Sequence, residues 1–168
     1  MALTVGEVLA YLNNYFVYTY APNVYVDITA ETSTIALADT DYDFDDYALD
    51  ARVGQYVRIE GTRLNDGVYK VATVGDASFT VEETLLDELS DEDLDYVTIY
   101  ELAVPQELLT IITEMQTWET DHPSGSDNVK SETLGPHSIT YGDAGGGGSG
   151  VFGNFASRLK RWKKVGWR

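Results

Sequence analysis

Cysteine is absent from this 168-residue chain, which excludes disulfides, thiolate metal sites and cysteine nucleophiles, and leaves the redox compartment open but consistent with the cytosol. Histidine is scarce. His122 and His137 each lie beside a proline in loop-like sequence, with no serine or acid placed around them to build a catalytic pair. No run approaches the roughly 18 apolar residues that a membrane span needs, and Glu7 stands where a signal peptide would open on basic residues. A soluble, unexported protein is expected. Basic residues are few, 11 against 28 acidic, for a formal net charge of −17. An acidic body repels nucleic acid, so reading DNA is not expected of it.

The residues that are present suit a folded chain: 43% are apolar and 12% aromatic, unlike a disordered acidic polymer. The length fits a small domain carrying an insertion and a tail. Charge is divided unevenly. Residues 1–155 hold five basic and 28 acidic residues, a net −23, whereas residues 156–168 hold six basic residues and no acid. Such asymmetry marks an interaction segment.

Periodicity divides the chain further. Thr4 with Glu7 is a capping-box pair, and Val5, Val8, Leu9, Leu12 and Phe16 recur at helical spacing, so a helix is expected to end near Asn13 and Asn14 or soon after. From about Val24 to Val104 the period falls to two. Five or six short strands are expected there, with a turn at Asn65, Asp66 and Gly67 and a small barrel or sandwich as the outcome. Helical spacing returns after Pro105 through Leu108, Leu109, Ile112, Met115 and Trp118 or Glu119. Helix, β module, helix reads as an insertion. The expected class is α+β: an N-terminal helix (1–22) and a central helix (105–121) forming a small helical core, an inserted β module (23–104), a loop, hairpin and glycine-rich tether (122–150), and a basic aromatic C-terminal helix (151–168).

The acidic runs invite chemical readings. In "DTDYDFDDYALD" acids fall at positions 1, 3, 5, 7 and 12, close to a calcium loop, but position 6 is Phe44 rather than glycine and position 12 is Asp50 rather than glutamate. A solvated acidic loop is the better reading. The run from Glu82 to Asp95 singles out no two carboxylates for glycosidase chemistry, though a repulsive surface would suit a channel through which DNA slides. "GGGGSG" lacks the lysine and preceding strand of a phosphate-binding loop. A native tether is preferred to an engineered linker, since no tag follows it. No enzyme activity, metal or cofactor is expected.

Beyond that tether, Phe152, Phe155, Leu159 and Trp162 make one stripe, with cations around the rest of the circumference. So short a helix cannot bury its stripe alone and needs a partner surface. A membrane would want a longer apolar face and nucleic acid would meet the acidic body, so protein docking is expected.

The order of pieces resembles a known family. "VGQYVRIEGTRLNDGVYKV", "YELAVPQELLTIITEMQTWE", "SETLGPHSITY", a glycine-rich spacer and "VFGNFASRLKRWKKV" are together similar to the head-tail connector, or adaptor, proteins of long-tailed bacteriophages, also called head-completion proteins. The likeness runs from about Leu3 to Val165. It implies a virion structural protein of the neck, assembled in the host cytoplasm as a dodecameric homo-oligomeric ring under the portal protein. Such a ring extends the channel for genomic dsDNA without binding it specifically, meets the next neck or tail-completion protein and touches no membrane. By the same resemblance Phe152, Phe155, Arg158, Leu159, Arg161, Trp162 and Lys163 face the portal. The run Asp39 to Asp50 and the final Gly166, Trp167 and Arg168 depart from the family pattern. The alternative is an acidic β-barrel binding module for a small ligand or a cell-wall polymer.

Overall fold

A computed structural model describes residues 3–39, 41–88, 96–122, 131–134, 137–140 and 150–164. Among these residues the protein is α+β, with three α-helices and a seven-stranded antiparallel sheet. The chain falls into two compact units: Tyr15–Val104, and a discontinuous unit made of Met1–Asn14 with Pro105–Arg168.

In the discontinuous unit, α1 spans Val5–Leu12. Thr4 Oγ1 accepts the Glu7 N–H at 3.2 Å and the Glu7 carboxylate accepts the Thr4 N–H at 2.7 Å, closing the capping box. Asn13, left-handed at φ 50°, ends the helix, because asparagine tolerates that region better than most residues. Val8, Leu9 and Leu12 are buried. Phe16 lies beyond the helix, outside the expected stripe. Helix α2, Gln106–Asp121, follows Pro105 as its N-cap and buries Leu108, Ile111, Ile112 and Met115. The two helices are tied at their ends: Leu3 N–H donates to Glu119 Oε2 at 2.6 Å and Gln116 Nε2 donates to the Leu3 carbonyl at 2.8 Å. A two-stranded hairpin, which supplies strands β8 (Ser131–Leu134) and β9 (His137–Thr140), matches the reading of "SETLGPHSIT", with Gly135 and Pro136 outside the described residues.

The other unit holds β1 (Val17–Val24), β2 (Val26–Thr29), β3 (Thr34–Leu37), β4 (Tyr56–Glu60), β5 (Gly67–Val74), β6 (Ser78–Val81) and β7 (Val97–Leu102). Their order is β1-β7-β4-β5-β6-β3-β2. The sequence pattern places the first strand near Val24, yet β1 begins seven residues earlier and contains Pro22. Proline is tolerated there because β1 is an edge strand, and the ladder to β7 breaks register between Ala21 and Val24, where Asn23 takes φ 59°. The expected barrel is corrected as well: the sheet is not closed. Its two edge strands are joined by the single residue Tyr25, too short a link for β2 to fold back on β1, so the sheet curls to a corner instead of closing a ladder.

Strand β5 makes the opposite corner. It pairs with β4 over Gly67–Lys70 and with β6 over Val71–Val74, shifting register between Val71 and Thr73. Inward residues from all seven strands, among them Val24, Ile28, Ile35, Ile59, Val71, Phe79 and Ile99, then share one core. At the end of β4, Gly61 sits at φ 96°, and an added Cβ would lie 3.0 Å from the Tyr96 carbonyl oxygen.

The expected Asn65 turn proves to be a longer connection with a buried strut. Asn65 is 2% exposed; its Nδ2 donates to the Leu86 carbonyl and to Glu88, its Oδ1 accepts the Leu86 N–H, and its own carbonyl accepts the Tyr69 hydroxyl, all at 2.8–2.9 Å. Replacing it by alanine removes three side-chain hydrogen bonds at once and leaves the part-buried Leu86 amide without its protein acceptor. Asn65→Ala is expected to destabilise the β unit by about 2–4 kcal/mol, read as a lower urea midpoint by far-UV circular dichroism.

Candidate functional site

The seven residues expected to face a partner all lie on or just after helix α3, Val151–Leu159, and the 3-10 turn Lys160–Trp162. Local sequence does little to hold this helix. Its N-cap, Gly150 at φ 124°, makes no side-chain bond, and nine residues are too few for a stable helix in water. Tertiary contacts within the discontinuous unit hold it instead.

Leu159 is 1% exposed, and Val151 at the other end of the helix is buried as well. The Phe152 ring stacks on Tyr11 of α1, centroids 4.5 Å apart and planes at 29°. Arg158 pairs with Glu114 and Arg161 with Glu107, so α3 runs antiparallel to α2 with its charges in register. Past the turn, Asn14 Nδ2 donates to the Trp162 carbonyl at 3.1 Å and Lys164 N–H donates to the Leu12 carbonyl at 3.0 Å. The stripe that required a partner surface finds one in the same chain.

The named residues are therefore not equivalent. Leu159 is enclosed, and Phe152, Phe155 and Trp162 are half-buried. Arg158 also lies over the Phe155 ring at 5.5 Å, and Arg161 over Trp162 at 4.5 Å. Lys163 is exposed with its Nζ 4.8 Å from the Tyr11 ring centroid. Between α1 and the end of α3 opens a cleft of about 290 Å³ lined by Tyr11, Ala156, Ser157, Leu159, Lys160 and Lys163. Sequence reading missed Tyr11, Glu107 and Glu114. Two acids seven residues apart on α2, facing a cationic helix, were the available signal.

Other singled-out residues serve the fold. The position-6 residue of the calcium-like run, Phe44, is buried and packs on Phe79 at 5.5 Å between centroids. Asp43 and Asp46 accept each other's backbone N–H at 3.1 Å, and Asp50 pairs with Arg52. Buried Glu101 on β7 accepts the Asp50 N–H. Of the second acidic run, Asp87 accepts the Ala30 N–H at 2.7 Å and Glu88 serves Asn65, while 89–95 lie outside the described residues. His122 stacks on Trp118 at 4.5 Å.

A ligand face on the sheet, which the binding-module alternative needs, would involve Tyr20, Tyr100 and Arg58, adjacent in register across β1, β7 and β4. Arg58 is already covered: Tyr15 lies 3.8 Å from its guanidinium and Glu60 pairs with it. The Tyr100 hydroxyl is pushed above its ordinary value, chiefly by its hydrogen bond to Glu60. Within this row Arg58 and Tyr100 both turn to Glu60.

No protein-family model matches the chain, and no similar sequence was found among curated proteins. Among the described residues no helix is long and apolar enough to cross a membrane.

Arg158, mainly through its hydrogen bond, holds the Glu114 carboxyl below its ordinary value of 4.5. A carboxylate lowered on folding adds stability that is complete above pH 4.5 and is lost as the pH falls through the lower, folded value. Because the pair is about half exposed its contribution is small, and the α3 backbone resonances in NMR spectra are expected to shift slightly toward random-coil positions on acidification below pH 4.5. Glu114→Gln should show part of that shift already at pH 7 and a smaller acid step.

Proposed function

We propose that the chain is a structural adaptor of a tailed-phage neck, a subunit of a ring beneath the portal protein, in which the helical unit packs around the DNA channel and the β unit is an outward embellishment. The observation that carries this reading is the chain's organisation. Both ends of the chain build one small helical unit, and the whole β unit is inserted between α1 and α2. That is the serial order on which the resemblance to head-tail connectors rests. The charge at one end supports it too: residues 151–168 carry six basic residues, no acid and four aromatics, which suits a protein anchor.

In this reading Phe152, Phe155, Arg158, Leu159, Arg161, Trp162 and Lys163 meet the portal. With α3 seated, the half-buried aromatics and exposed Lys163 are the accessible part; the Leu159 face becomes available only if α3 leaves α1 and α2.

The test is co-assembly of the full chain with the portal protein of the same virion, viewed by electron microscopy. A ring of density capping the portal is expected. Phe155→Ala with Trp162→Ala should weaken capping roughly tenfold or more, as loss of aromatic anchors does, and deletion of residues 151–168 should abolish it while the β circular-dichroism signal persists. Bare portals with the full chain would contradict the adaptor reading. Unchanged capping by the truncated chain would contradict the anchor alone.

A further inference from the structure

The cations of the C-terminal segment are in two groups. Arg158 and Arg161 are engaged by Glu114 and Glu107. Lys160 and Lys163 are exposed, have no carboxylate partner among the described residues, and flank the cleft floored by Tyr11, Ala156 and Leu159. A partly apolar floor between exposed Lys160 and Lys163, whose Nζ lies over the Tyr11 ring, fits an aromatic residue flanked by acids.

The chain carries such a residue elsewhere. Tyr42 is 49% exposed, with Asp41 and Asp43 on either side and Asp45 beyond. No ion pair among the described residues engages those three acids. The segment is pinned to the sheet by buried Phe44 and Leu49 and by the Phe44 N–H donating to the Asp76 carbonyl at 3.1 Å, and Tyr42 meets Tyr47 at its edge, ring centroids 6.2 Å apart.

We propose that the cleft formed by Tyr11, Leu159, Lys160 and Lys163 of one copy receives Tyr42, with Asp41 and Asp43, of a second copy of this chain. The contact joins two different patches, so each copy has one free donor and one free acceptor. Such heterologous contacts propagate into a ring where the rotation closes. It deepens the ring reading above and rests on it for closure, with Leu159 and Lys163 then facing the neighbouring copy and Phe155, Arg158, Arg161 and Trp162 left to the portal, whereas the pairwise contact rests on charge and shape alone. Two copies of net charge −17 repel overall. At about 0.1 M salt that long-range repulsion is screened beyond roughly 10 Å while charges in contact still attract.

Sedimentation of the full chain, with reversed charges, tests the contact. Wild type is expected to associate with rising concentration at about 0.1 M salt. Lys160→Glu with Lys163→Glu, and separately Asp41→Lys with Asp43→Lys, should each weaken association about tenfold or more. An equimolar mixture of the two variants should associate again, because every cleft then meets a loop of opposite charge; this recovery also shows that neither variant is misfolded. Wild type that stays monomeric to about 1 mM, variants that associate like wild type, or a mixture no better than its parts would each overturn the contact. A monomeric wild type includes the case of a cleft filled by its own chain's loop or reserved for another protein. Portal capping by wild type, scored separately, distinguishes failure of this contact from failure of the adaptor reading.

Discussion

The burial of one face of α3 against α1 and α2 is the interaction on which the helical unit depends. With eight and nine residues, α1 and α3 are below the length at which a helix is stable in water, and only α2, with sixteen, approaches it. Three weak helices therefore stabilise one another. Leu159 supplies the apolar anchor; fully burying a leucine contributes about 1.5–3 kcal/mol. The Phe152–Tyr11 stack adds orientation, and the two Arg–Glu pairs fix the antiparallel direction of α3 along α2. Both pairs are about half exposed, so their role is alignment more than stability.

The same contact constrains function. A segment that serves as the third helix of its own unit cannot at the same time present its Leu159 face to another protein. What it does present is the cationic rim of Lys160 and Lys163 and the outer edges of its aromatics. The β unit is built on a different constraint, the one-residue link between β1 and β2, which forces the sheet to curl around a shared core.

Features governed by near neighbours in the chain were legible in the sequence. The Thr4–Glu7 capping box, the stop at Asn13, the entry to α2 at Pro105 and the "SETLGPHSIT" hairpin are each written within a few residues. Features governed by distant partners were not. Pro22 reads locally as a breaker, and only its place on an edge strand makes it harmless. Asn65 reads as a turn residue, and its role as a buried strut depends on Leu86 and Glu88, more than twenty residues away. Phe44 looks like a flaw in a calcium loop and is a core residue. For the candidate site, the stripe itself was visible, but its partner was sought outside the chain because Tyr11, Glu107 and Glu114 are separated from it by up to 150 residues.

Helix α3 thus closes the chain's own helical unit. Nuclear Overhauser contacts between the rings of Tyr11 and Phe152 in the full-length protein test it most directly. With centroids 4.5 Å apart, strong ring-to-ring cross-peaks are expected, together with helical chemical shifts from Val151 to Leu159. Absence of those cross-peaks, with averaged shifts across the segment, would contradict the account.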